Sequence, residues 1–196
     1  MSRRPATDLP IMPFASDKLW EKWLKANHAF SRGVWLKIAK SASGVDTVTY
    51  AQALETALCY GWIDGQKDAF DARSWLQRFT PRKPGGRWSK INRQKAERLI
   101  DEGRMKPAGM KLIEEARASG AWDTAYDSQR AAAVPDDLVR GLNAKPAARE
   151  FFESLDSANR YAILYRIHEA RSAETRARRI EKFIGMLQAR KKVHPD

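Results

Sequence analysis

Apolar residues return every third or fourth position through LWEKWLKANHAF, where Leu19, Trp20, Trp23 and Leu24 share one helical face behind Asp17 as the expected cap. Gly33 is the expected stop of that helix. The pattern then changes period: Val34, Leu36 and Ile38 alternate with Trp35 and Lys37, which predicts a strand, and SASGVD reads as a turn. Thr49 and Gln52 form a capping box in front of AQALETALCY, whose Ala53, Leu54, Ala57 and Leu58 make a buried stripe ended by Gly61. WIDGQKDAF and RSWLQRFT read as two further strands that complete a small antiparallel sheet with VWLKIAK.

Beyond the Pro- and Gly-rich loop PRKPGGR the chain becomes helical. Ser89 caps a predicted helix with Ile91, Ala96, Leu99 and Ile100 facing inward, and Pro107 suits the first turn of AGMKLIEEARAS. Residues 121–134 read as a connector. After Pro135 four helices are predicted, the last with Ile180, Phe183, Ile184 and Leu187 on one face and Arg176, Arg179, Lys182 and Arg190 on the others, its Lys191–Lys192 tail frayed. The expected fold is therefore α+β and mostly helical: residues 1–130 as an α+β domain with a small antiparallel sheet, and 131–196 as a helical carboxyl-terminal region packed on it.

Composition narrows the classes. Of 196 residues, 43% are apolar and 31% charged, a globular balance. No stretch reaches the roughly 18 apolar residues of a membrane span, and Pro10 and Pro13 break the amino-terminal apolar stretch, so the expected location is the cytoplasm. One cysteine excludes an internal disulfide, and His28, His168 and His194 are too scattered for a zinc site, so neither a metal nor a cofactor is expected.

The net charge is +12, and its distribution is uneven. Residues 73–106 carry eleven Lys and Arg against three Asp and Glu, and residues 160–196 carry ten against four. Such blocks suit an anionic partner or simply coat helices for solubility.

Several stretches, in order, resemble a known bacterial family. ALCYGWIDGQ, RFTPRK, WSKINRQKAERLIDEGRMKPAG and GAWDTAY, then PDDL through FFESLDSANRYAILYRIHEARSAETRARRIEKFI, are similar to the YdeI/OmpD-associated, or bacteriocin-protection, proteins. PGGR lengthens the spacing between RFTPRK and WSKIN relative to that family. The resemblance implies a stress- or bacteriocin-protection protein with a porin association by label, a phenotype and not a reaction. A protein of charge +12 repels cationic peptides at long range, which favours an indirect route to protection over direct sequestration.

Candidate chemistry gathers in two stretches. In LCYGWIDGQ, Cys59 falls at a helix carboxyl end, which raises a thiol pKa, and reads as a small buried hydrophobe. Trp62 is expected to line a groove. Asp64 is a candidate general acid or base beside Trp62 and Gly65, or else a turn cap or an arginine partner. In RFTPRKPGGRWSKINR, Arg78, Thr80, Arg82, Lys83, Trp88, Ser89 and Asn92 surround a loop that leads into a helix amino terminus, a setting for a phosphate or carboxylate. The expected function is binding of a small anionic or phosphorylated ligand between these two stretches. The alternatives are a nucleic-acid binder using blocks 73–106 and 160–196, and an enzyme using Asp64.

Overall fold

The computed structural model describes residues 8–127, 132–170 and 172–195. They form two compact units, one up to Ala125 and one from Tyr126. The boundary expected at 130/131, and the reading of residues 1–7, lie outside the described residues.

The first unit runs β1 (Ile11–Pro13), α1 (Asp17–Asn27), β2 (Val34–Ala39), α2 (Tyr50–Cys59), β3 (Trp62–Ala69), β4 (Ser74–Pro81), α3 (Lys90–Asp101) and α4 (Pro107–Ala118). The sheet has the order β1-β2-β4-β3. Its three longer strands are antiparallel as expected, but β1 pairs in parallel with β2, Met12 opposite Leu36, so the sheet is mixed. The β3–β4 register slips between Asp64 and Lys67, and the buried Gln77 amide fills this bulge by donating to the Gly65 carbonyl at 2.8 Å.

Local rules hold at several ends. Thr49 and Gln52 make the reciprocal capping box of α2, Ser89 caps α3 through the Asn92 amide, and Gly61 leaves α2 with φ 73°. Others fail for physical reasons. Ser16, not Asp17, caps α1, and the Asp17 carboxylate instead accepts the Thr56 hydroxyl. The helix stops at Asn27 before reaching Gly33: His28 N–H makes the last helical bond, to the Leu24 carbonyl, and the amides of Phe30 and Ser31 both turn back to the Asn27 carbonyl. Ile91, in the first turn of α3, is 46% exposed and not inward-facing.

The core of this unit is aromatic. Trp20 stacks on Trp23 with centroids 5.4 Å apart, Trp62 meets both edge-on, and Phe14 and Phe79 close the cluster. Trp20 Nε1 donates to the Ala53 carbonyl and Trp62 Nε1 to the His28 carbonyl, both at 3.1 Å. The inner face of α1 is thus fixed on α2 and the sheet, and its outer face looks into solvent.

The second unit contains α5 (Asp136–Asn143), α6 (Pro146–Ser154), α7 (Ser157–His168) and α8 (Ala173–Gln188) around Leu138, Phe152, Ile163, Ile167, Phe183 and Leu187. Ile180, Phe183, Ile184 and Leu187 occupy the inward face of α8, as the periodicity predicts. The tail is not frayed at His194, whose backbone pairs with the Asn159 side chain. The α+β, mostly helical class read from the sequence is the observed one.

Candidate functional site

Because α1 is anchored from within, its lysines form a fixed row. Lys18, Lys22 and Lys25 lie three or four residues apart on exposed positions. With Glu21, His28, Tyr60, Lys106, Pro107 and Ala108 they line an open groove of about 740 Å³. Across the groove, the Tyr60 hydroxyl donates to Glu21 at 3.4 Å, and Lys106 Nζ lies 3.5 Å from the same carboxylate. His28 donates Nδ1–H to the Leu24 carbonyl at 2.9 Å, which ties its ring back to the end of α1.

The floor is set by a close approach of helices. A Cβ on Gly109 would lie 2.5 Å from the Cys59 carbonyl oxygen and 2.7 Å from that of Leu58, so only glycine lets α4 start this near the end of α2. No side chain caps α4, whose first residue is Pro107. Four lysines against one glutamate, with the positive end of a helix beside them, make the groove cationic.

Burial controls the titration of the wall. It pushes the Tyr60 phenol up to about 12, with the Glu21 charge and hydrogen bond acting in the same direction. It also pushes the Cys59 thiol up to about 11 against the opposing pull of Arg104 and Lys106. Both groups hold their protons at neutral pH. Cys59 is buried structure, as expected, and not an activated nucleophile.

The residues singled out in the sequence do not assemble into one groove. Trp62 is 1% exposed within the tryptophan cluster, so its ring faces core and not ligand. Asp64 meets neither an arginine nor the groove: its carboxylate accepts the Tyr50 hydroxyl at 2.8 Å, and burial followed by this bond holds the phenol well above its usual range. Arg78 lies against Gly65, with its Nε buried and without a hydrogen-bond partner, and Thr80 pairs across the sheet with Ile63.

Arg82 is 9% exposed, donates to the Arg87 carbonyl and lies 3.9 Å over the Trp88 ring, closing its own loop. Trp88 is itself buried edge-on against Trp122. Ser89 and Asn92 serve as cap and capped amide, and Lys83 is exposed.

The basic block is engaged elsewhere too. Glu55 gathers Lys95 at 3.6 Å, Arg104 at 3.4 Å and Arg98, while Arg98 also binds Glu102 at 2.7 Å. The lysine row gave no such signal in sequence because its spacing is that of any solvated helix face. Tyr60 lies in LCYGWIDGQ and Lys106 at the end of the basic block, so only these two edges of the groove fall in stretches that the sequence marks.

The second unit has a small, half-open pocket of about 110 Å³ lined by Tyr126, Tyr161, Tyr165, Leu164, His168 and Arg176 among others. Tyr161 donates to the Asp127 carbonyl at 3.0 Å, and burial raises its pKa. Arg176 is paired through two nitrogens with Asp137, whose carboxyl it holds below the usual range. Among the described residues no group of three His, Cys, Asp or Glu is placed to hold a metal ion, and no helix is long and apolar enough to cross a membrane.

These features define a two-unit α+β protein whose first unit presents a cationic groove. The chain belongs to the family described as a domain of unknown function (DUF8412), whose model matches residues 12–112. Residues 131–190 match the family model described as Bacteriocin-protection, YdeI or OmpD-Associated, which bears out the resemblance read from the sequence and places that label on the helical unit. No curated protein and no solved structure matches the chain.

Proposed function

We propose that this bacteriocin-protection-type protein binds a phosphate-bearing anion in the lysine groove of its first unit. The observation that carries the reading is the contrast in pairing: Lys18, Lys22 and Lys25 are exposed with no ion-pair partner among the described residues, whereas Arg82, Lys95, Arg98 and Arg104 of the basic block are engaged in the fold. Unpaired ammonium groups on a rigid helix and an uncapped helix start supply charge and donors to a phosphate without rearrangement of the backbone. A chain of net charge +12 also draws anions and repels cationic peptides, so the ligand is sought among anions.

The test is a thermal-shift and calorimetric series with pyrophosphate, nucleotides and phosphorylated sugars. An anion bound by the native state raises the melting temperature in proportion to the logarithm of its excess over Kd, about 2.7 kcal/mol at a hundredfold excess. The rise is expected for at least one of these anions and is expected to disappear in Lys22→Glu. No response to any of them, or an undiminished response in the variant, contradicts the reading.

A further inference from the structure

The lysine row has an apolar neighbour on the same helix. Leu19, Trp23 and Ala26 follow one another at spacings of four and three residues, which sets them on one stripe beside Lys18, Lys22 and Lys25, and Phe30 follows just beyond the end of the helix. Trp23 is partly buried in the aromatic cluster, but Leu19 is 49% exposed, Ala26 is exposed, and Phe30 is 88% exposed. Phe30 sits in the turn after α1, held by its backbone N–H on the Asn27 carbonyl at 3.1 Å. A phenyl ring so exposed contributes little to the fold and leaves apolar area in water.

We propose that this side of α1 seats the protein on an anionic phospholipid surface, with Phe30 and Leu19 entering the headgroup layer and Lys18, Lys22 and Lys25 meeting lipid phosphates. The proposal rests on the anion-binding reading of the lysines and adds the carrier of the phosphate. A row of cations bordered by protruding apolar side chains matches the charge and polarity steps of a lipid interface. Two features favour lipid over other polyanions. Phe30 projects outward, which suits a fluid layer that opens around it, whereas a protein partner must supply a matched pocket. This side carries a single freely exposed ring, because Trp23 is partly buried in the aromatic cluster, whereas single-stranded nucleic acid stacks successive bases on several. No helix in the described residues is long and apolar enough to span, so the contact is interfacial.

The experiment is co-sedimentation of the full chain with vesicles of three parts phosphatidylcholine to one part phosphatidylglycerol, with pure phosphatidylcholine vesicles alongside. Pyrophosphate affinity and binding to an oligothymidylate are measured on the same proteins. The wild type is expected to sediment with the anionic vesicles only. Phe30→Ser is expected to lower vesicle partitioning roughly tenfold with pyrophosphate affinity unchanged, and the exposed site keeps the variant folded. Lys22→Glu with Lys25→Glu is expected to lose both. Failure of the wild type to bind anionic vesicles, vesicle binding indifferent to Phe30→Ser, or Phe30-dependent binding to the oligonucleotide alone overturns the lipid proposal. Retained pyrophosphate binding would leave the groove reading standing, and its absence would remove both.

Discussion

Residues 73–106 hold eleven Lys and Arg and α1 holds three lysines, yet most of the dense set is paired within the fold while none of the three α1 lysines has an ion pair among the described residues. In the dense block, Arg73, Arg82, Arg93, Lys95, Arg98, Arg104 and Lys106 all have a carboxylate or carbonyl partner within their own unit. Most of these are arginines, whose forked donors suit bridging of carbonyls and carboxylates. The α1 residues are lysines with apolar stems along the helix and heads in water. Charge density along a chain therefore measures available charge poorly, because acids distant in sequence subtract from it after folding.

The largest test of this contrast is on stability. Arg82→Ala removes hydrogen bonds from a nearly buried guanidinium and its stacking on Trp88, with an expected loss of about 2–3 kcal/mol in urea unfolding. Lys22→Ala is expected to change stability by less than about 0.5 kcal/mol. A neutral Arg82→Ala would erase the distinction between engaged and available charge.

Binding gives the converse. Reversing Lys22 and Lys25 to Glu is expected to weaken pyrophosphate binding by at least about tenfold in calorimetry, whereas Lys83→Glu in the exposed loop leaves it unchanged. Equal losses would return the loop to the site. A smaller effect falls on Glu55→Gln, which leaves Lys95, Arg98 and Arg104 facing one another. About 1 kcal/mol of stability is expected to be lost at low salt and less at high salt, since the arginines are partly in water.

The smallest effect concerns the groove wall. Burial holds the Cys59 thiol up to about 11 and the Tyr60 phenol up to about 12, each above its unfolded value, so their contribution is present at neutral pH and is lost as pH rises through those values. Cys59 is expected to react with a thiol reagent far more slowly in native than in urea-unfolded protein at pH 8, and native stability is expected to fall between about pH 9 and 12. Rapid native labelling at pH 8 would show a wall more open than the geometry allows.

Local features were legible in the sequence. The Thr49–Gln52 box, the Ser89 cap, the Gly61 stop and the inward face of α8 depend on residues within one or two turns. The parallel strand β1 was not, since three residues ending in proline carry no strand period and are held by pairing with β2. Trp62 and Trp88 illustrate the same limit: a tryptophan beside charged residues suggests a stacking face, but its area favours the core whenever partners such as Trp20 or Trp122 are available. The groove was half legible. Its wall at Tyr60 lies in LCYGWIDGQ, while its charge comes from residues 18–25 and 106, brought there by the Trp20–Ala53 bond and the close approach at Gly109.

The most direct measurement is an amide NMR titration of the full chain with pyrophosphate. The expected result is a set of saturable shifts confined to residues 17–28, Tyr60 and residues 106–109. Shifts centred instead on residues 82–93, with α1 silent, would contradict the lysine groove and restore the basic loop as the binding site.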